Sequence, residues 1–120
     1  MKKFSLLAVF LLCGMMILIP KVSAQDVYAV TERNGGKIID HYVMTDKIQS
    51  KGNAFVVGVH AVGQNCNKNE YWTVPFAYFN GEWHWAIGGN LATAIAIRKI
   101  DDPMLQSVIY GIFKKAREYI

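Results

Sequence analysis

Apolar and polar positions alternate in short runs between residues 27 and 87, and change to a spacing of three and four beyond residue 103. Alternation predicts strands and the longer spacing a helix, because side chains repeat every two residues along a strand and every 3.6 along a helix. Val27 to Thr31 reads as a first strand, and Arg33-Asn34-Gly35-Gly36-Lys37 as a tight hairpin turn. The second strand is Ile38 to Met44. Thr45-Asp46-Lys47-Ile48 after it reads as a turn with one helical wind, and Ser50-Lys51-Gly52-Asn53 as a break. Ala54 to Val62 is the third strand. Phe55, Val57, Val59 and Ala61 lie on one face and Val56, Gly58, His60 and Val62 on the other. With both faces nearly apolar, it is expected at the centre of a sheet, covered on at least one side.

Gly63 to Asn69 is a polar loop, and Glu70 to Phe79 the next strand. Asn80-Gly81 then has the composition of a type I′ turn, whose two central residues both take positive φ. A two-residue loop sets Phe79 opposite Glu82, Tyr78 opposite Trp83, Phe76 opposite Trp85 and Val74 opposite Ile87. Trp72 extends the row, so one hairpin face carries seven large apolar residues, while Thr73, Ala77, Glu82, His84 and Ala86 lie opposite. A slip of one residue would place charged Glu82 in the row, which holds the register. Gly88-Gly89-Asn90 ends the hairpin. Leu91 to Ile97 fits either a strand or a buried helical turn, with a lean towards strand. Asp102-Pro103 opens a helix to about Tyr119: aspartate caps free N–H groups and proline suits the first helical position. Leu105, Val108, Ile109, Ile112, Phe113, Ala116 and Ile120 form its apolar side, and Lys114, Lys115 and Arg117 complement its dipole. The predicted architecture is α+β: an antiparallel β-sheet of four to six strands packed against one C-terminal α-helix.

The N-terminus changes the setting. Lys2 and Lys3 precede a 16-residue uncharged apolar run, Phe4 to Ile19, which is short of the roughly 20 residues of a spanning helix. Val22-Ser23-Ala24 then suits a signal peptidase. Residues 1–24 are therefore expected to be a cleaved signal peptide, and 25–120 a single exported domain beginning at Gln25. An uncleaved N-terminal anchor is the alternative. A lipid anchor on Cys13 is disfavoured by Leu12 before it. Loss of Lys2, Lys3 and Lys21 reduces the thirteen basic residues to ten against nine acidic, a net charge of +1. That balance lacks the dense basic face expected of a nucleic-acid binder. A domain this small buries only about 60–65% of its unfolded surface. Its three tryptophans and six tyrosines supply the large side chains such a core needs.

Candidate chemistry is sparse. His41, His60 and His84 fall on three predicted strands, but no pair has a recognised metal-ligand interval, and the expectation is partly exposed strand histidines. Cys66 is the one cysteine of the exported domain, so it is an intermolecular bridge, a reactive thiol or an incidental one; Asn65 and Asn67 beside it supply no base or positive charge to activate it. Asp101 and Asp102 are adjacent, yet Asp102 is better used as a helix cap. Gly35-Gly36 and Gly88-Gly89 are turn residues, not a phosphate cradle. The aromatic hairpin is the candidate binding surface: Trp72, Tyr78, Trp83 and Trp85, with His84 on the opposite face. If the helix covers the aromatic side, the row is core; if it covers the His84 side, the row is an exposed patch of a size monomers rarely tolerate.

A signal peptide, a strand reading Tyr42-Val43-Met44-Thr45-Asp46-Lys47-Ile48, an apolar third strand and the Tyr71-Trp72 to Trp83-His84-Trp85 hairpin before a closing helix resemble, in layout, small secreted proteins of the bacterial surface-adhesin protein E group. The resemblance implies a surface-associated, adhesive role. Together these readings lead to an exported, non-enzymatic binding or surface-associated domain: secreted, periplasmic or at the cell surface. It uses no cofactor, contacts an unknown protein or glycan and not nucleic acid, meets the membrane only through its signal peptide, and is a monomer or weak homo-oligomer. Two alternatives stay open. A small enzyme or enzyme inhibitor would need His41, His60 or His84 to converge with Asp40, Asp46 or Cys66; a structural envelope subunit would link through Cys66 or a free sheet edge.

Overall fold

At the Asn80–Gly81 turn φ is +52° and +81°. Asparagine tolerates that left-handed region and glycine enters it freely, so the chain reverses in two residues. The computed structural model describes residues 26–86 and 93–120. The expected signal peptide, Gln25, Ile87 and Gly88-Gly89-Asn90 lie outside the described residues. Six strands follow one another: β1 (Asp26–Asn34), β2 (Lys37–Lys51), β3 (Ala54–Gly63), β4 (Asn69–Phe79), β5 (Glu82–Trp85) and β6 (Ile95–Ala96). A 3-10 turn, Ile97–Lys99, leads to helix α1, Pro103–Arg117. The strands form one antiparallel sheet in sequence order. The fold is α+β, a curled antiparallel sheet with one C-terminal helix. The β4–β5 register is the expected one: Phe76 faces Trp85, Tyr78 faces Trp83 and Phe79 faces Glu82.

One expectation is corrected. Thr45 to Ile48 is not a turn with a helical wind, since β2 continues through it to Lys51. Met44 pairs with Gly58 and Ile48 with Val57, so three residues on β2 bulge out where β3 advances by one. An odd number of extra residues switches the alternation, and Ile48 thereby joins Val43 on the core side. The bulge folds over the other face, where Lys47 and Met44 crowd Gly58. The stretch Leu91 to Ile97, which fits either a strand or a helical turn, contains both in its described part. Its described part has only Ile95–Ala96 paired with β5 before the 3-10 turn begins at Ile97. A smaller bulge at Ala29 in β1 sets Tyr28 opposite Tyr42 but Val30 opposite His41.

Helix α1 starts where expected: Asp102 accepts a hydrogen bond from the Met104 N–H at 3.0 Å, with Pro103 in the first turn. It ends at Arg117, two residues before the expected Tyr119. Val108, Ile109, Ile112, Phe113 and Ala116 are buried against Val43, Phe55, Val57, Val59, Val74 and Phe76. Ile109 and Ile112 keep no exposed surface, and each burial is worth about 2 kcal/mol. The helix therefore covers the face that carries the aromatic row, which places Val74, Phe76 and Trp85 in the core.

Candidate binding groove

The row is covered unevenly. Trp85 is 6% exposed and sits in the core cluster with Val74 and Phe76. Trp72 is half-buried and meets the edge of the His41 ring, centroids 5.9 Å apart. Towards the Asn80–Gly81 turn the cover thins, because the sheet extends past the Phe113 ring that packs on Phe55 and Phe76. Trp83 is half-buried there, 5.2 Å from Phe113 and 5.5 Å from Phe55, while Tyr78 is 41% exposed.

An open groove of about 540 Å³ runs between α1 and the β5–β6 end of the sheet. Pro103, Ser107 and Tyr110 on the helix form one wall, and Ile97 and Trp83 the other, with Phe113 between them. Its polar groups are few. Gln106 donates to the Ile97 carbonyl at 3.1 Å, and Arg98 clasps both carboxylate oxygens of Glu82 at 2.5 and 3.2 Å. The hydrogen bond from Arg98 chiefly holds the Glu82 carboxyl below the usual glutamate range; the charges of Arg98, His84 and Lys99 act in the same direction, and partial burial opposes them. A pocket of this size, mostly apolar with a few convergent polar groups, is what small-molecule sites generally look like.

The three histidines do not meet. His41 lies on the helix side, 4% exposed, with Nε2 2.9 Å from Glu32 Oε1 and Nδ1 without a protein partner. It borders a smaller cavity of about 260 Å³ with Trp72, Leu105 and Val108. His60 lies on the opposite face, with Nδ1 3.1 Å from Asp26 Oδ2 and Nε2 2.6 Å from the Asn69 side chain, and is stacked on Tyr71 at 4.3 Å. His84 lies flat on Phe79 at 3.7 Å, and its Nδ1 is 3.0 Å from the Glu82 carbonyl. Among the described residues no group of three His, Cys, Asp or Glu side chains is placed to hold a metal ion.

The other candidates are dispersed. Asp40 accepts from Thr31 and Gln64, Asp46 is exposed on the bulge, and Asp101 is exposed beside the capping Asp102. The free thiol of Cys66 is half-buried against Gly63, in an open hollow with Lys37, Lys68 and Glu70.

Two features were missed in the sequence. One is a second ring row on the face away from the helix, where Tyr28, Tyr42, His60 and Tyr71 stand opposite one another on β1 to β4. These rings pack on each other, Tyr28 edge-on to Tyr42 and His60 flat on Tyr71. The other is the groove itself. Trp83 is a candidate from the sequence, but Ile97, Arg98, Ser107 and Tyr110 carry no local signal, since they meet Trp83 only after the helix docks.

Comparison with protein families, with characterised proteins and with solved structures finds nothing that matches this chain.

Proposed function

We propose that the protein is an exported, non-enzymatic binding domain, secreted, periplasmic or held at the cell surface, and that it binds through the groove between α1 and the β5–β6 end of the sheet. One observation carries this reading: Trp83, Tyr110 and Phe113 line an open space of about 540 Å³ beside the core. Aromatic side chains at the mouth of a concave, mainly apolar site bring a large area of contact at little cost in conformational entropy. A hydrolytic role has less support. Each histidine is bonded to a different group, Glu32, Asp26 with Asn69, and the Glu82 carbonyl, and none to Cys66, Asp40 or Asp46.

The test is titration with N-phenyl-1-naphthylamine, a neutral aromatic fluorophore that brightens in apolar surroundings. The protein is expected to bind it, and Ser107→Trp, which fills the groove from an exposed helical position, to abolish binding while leaving the circular dichroism unchanged. Absence of binding, or equal binding by the Ser107→Trp variant, would overturn the groove as the site. Export is tested by the intact mass of the mature chain in the medium or envelope fractions, where a chain beginning at Gln25 is the expected result.

A further inference from the structure

We infer that the groove takes an amphiphilic anion: a molecule with a carboxylate head and an elongated apolar body. This rests on the groove being the binding site. Its helical wall runs from Pro103 to Phe113, and the ten rises of 1.5 Å between them span about 15 Å. A wall of that length suits an extended chain or a linear aryl group laid along the helix.

The charges around this surface are lopsided. Arg98 lines the groove, and Arg117 lies across its Trp83 end, with the guanidinium carbon 5.1 Å from the Trp83 ring centroid and 5.6 Å from that of Phe113. Lys114 stands over the Tyr110 ring at 4.7 Å. In the groove lining itself Arg98 and the one carboxylate, Glu82, neutralise each other, which leaves Arg117 as the uncompensated cation beside Trp83 and Phe113; Lys114 lies outside that lining. Glu118, the nearest acid on the helix, is bonded to Lys115 instead. Arg117 thus has no carboxylate partner among the described residues; it rests on two aromatic faces with its N–H fork unused by an anion.

A guanidinium in that position rests one face on the rings while its donors stay exposed, and those planar donors match a carboxylate in two parallel hydrogen bonds. An anionic head at Arg117 leaves the apolar body to lie along Trp83, Phe113 and Tyr110. A cationic amphiphile of the same length would gain the same apolar contact but meet repulsion at Arg117, whose charge no carboxylate of the groove offsets. Sign of charge, not hydrophobicity, is therefore the discriminating property.

The experiment displaces bound N-phenyl-1-naphthylamine from the purified protein with decanoate, decyltrimethylammonium and 1-decanol, each below the concentration at which it self-associates. Decanoate is expected to displace the fluorophore at least tenfold more effectively than decyltrimethylammonium, with decanol between them. Arg117→Gln is expected to weaken decanoate about tenfold, the loss of one charge-assisted contact, without weakening the neutral fluorophore. Equal displacement by decanoate and decyltrimethylammonium, or decanoate affinity within twofold of wild type in both Arg117→Gln and Arg98→Gln, would overturn the anion preference while the groove stands. If the fluorophore does not bind the wild-type protein at all, the binding reading itself falls.

Discussion

Gly111 of α1 faces Val30 of β1 so closely that a Cβ on the glycine would stand 2.7 Å from the valine Cβ, nearer than two such carbons approach. Glycine in a helix interior costs about 1 kcal/mol relative to alanine, so its presence here is explained by the contact and not by helix propensity. Val30 stands on β1 opposite His41, past the Ala29 bulge that turns it towards the helix. Gly111 is the point at which helix and edge strand can meet backbone to side chain.

Gly111→Ala is accordingly expected to destabilise the protein by about 1–2 kcal/mol despite the better helix former, because the atoms it meets lie at the branch point of a stiff side chain and cannot swing away. Val30→Ala removes the two γ-methyls at 3.1 Å but keeps the Cβ at 2.7 Å, so it should recover only part of that loss in the Gly111→Ala background. Urea unfolding of the two single variants and the double variant checks it, and the expected signature is a favourable coupling energy between the two sites.

His41 depends on Glu32. Its ring is 4% exposed, Nδ1 has no protein partner, and Nε2 is bonded to the Glu32 carboxylate. Glu32→Ala would leave both ring nitrogens buried without a protein partner, and the expected loss is about 1–3 kcal/mol, the cost of one unsatisfied buried polar group. Replacing His41 and Glu32 together with apolar residues of similar size should cost less than Glu32→Ala alone, since no orphaned polar group remains. Unfolding midpoints of the two variants decide it.

The Glu82–Arg98 pair predicts a pH dependence with a definite sign. Glu82 has a lowered carboxyl pKa in the folded protein, so it favours folding fully above the ordinary glutamate value, near 4.3, and loses that contribution as pH falls through the lower folded-state value. The stability advantage of wild type over Arg98→Gln should therefore be constant around neutrality and shrink in acid. Thermal unfolding of both proteins from pH 7 to pH 3 measures it; a gap that widens as pH falls would contradict the assignment. At the same time Arg98→Gln should raise the Glu82 carboxyl titration seen by NMR.

The sequence by itself determined what is local. The Asn80–Gly81 turn and the period-two pattern around it set the β4–β5 register, because a slip would carry Glu82 into an apolar row. Asp102 and Pro103 set the start of α1, because a cap and a proline act within one turn of helix. The bulge at Thr45 to Lys47 was not legible, since its register is defined against Gly58 and Val57 on another strand and its residues look like a turn when read alone. Only the tertiary structure decided which face α1 covers, and hence that Trp85 is core while Trp83 opens onto a groove. It also brought Arg117 over Trp83, residues far apart in the chain that meet through the docking of a helix whose apolar stripe is visible in sequence but whose place on the sheet is not. Turns and caps are enforced by a few neighbouring backbone groups; the groove exists only where two separately formed surfaces meet and fail to close.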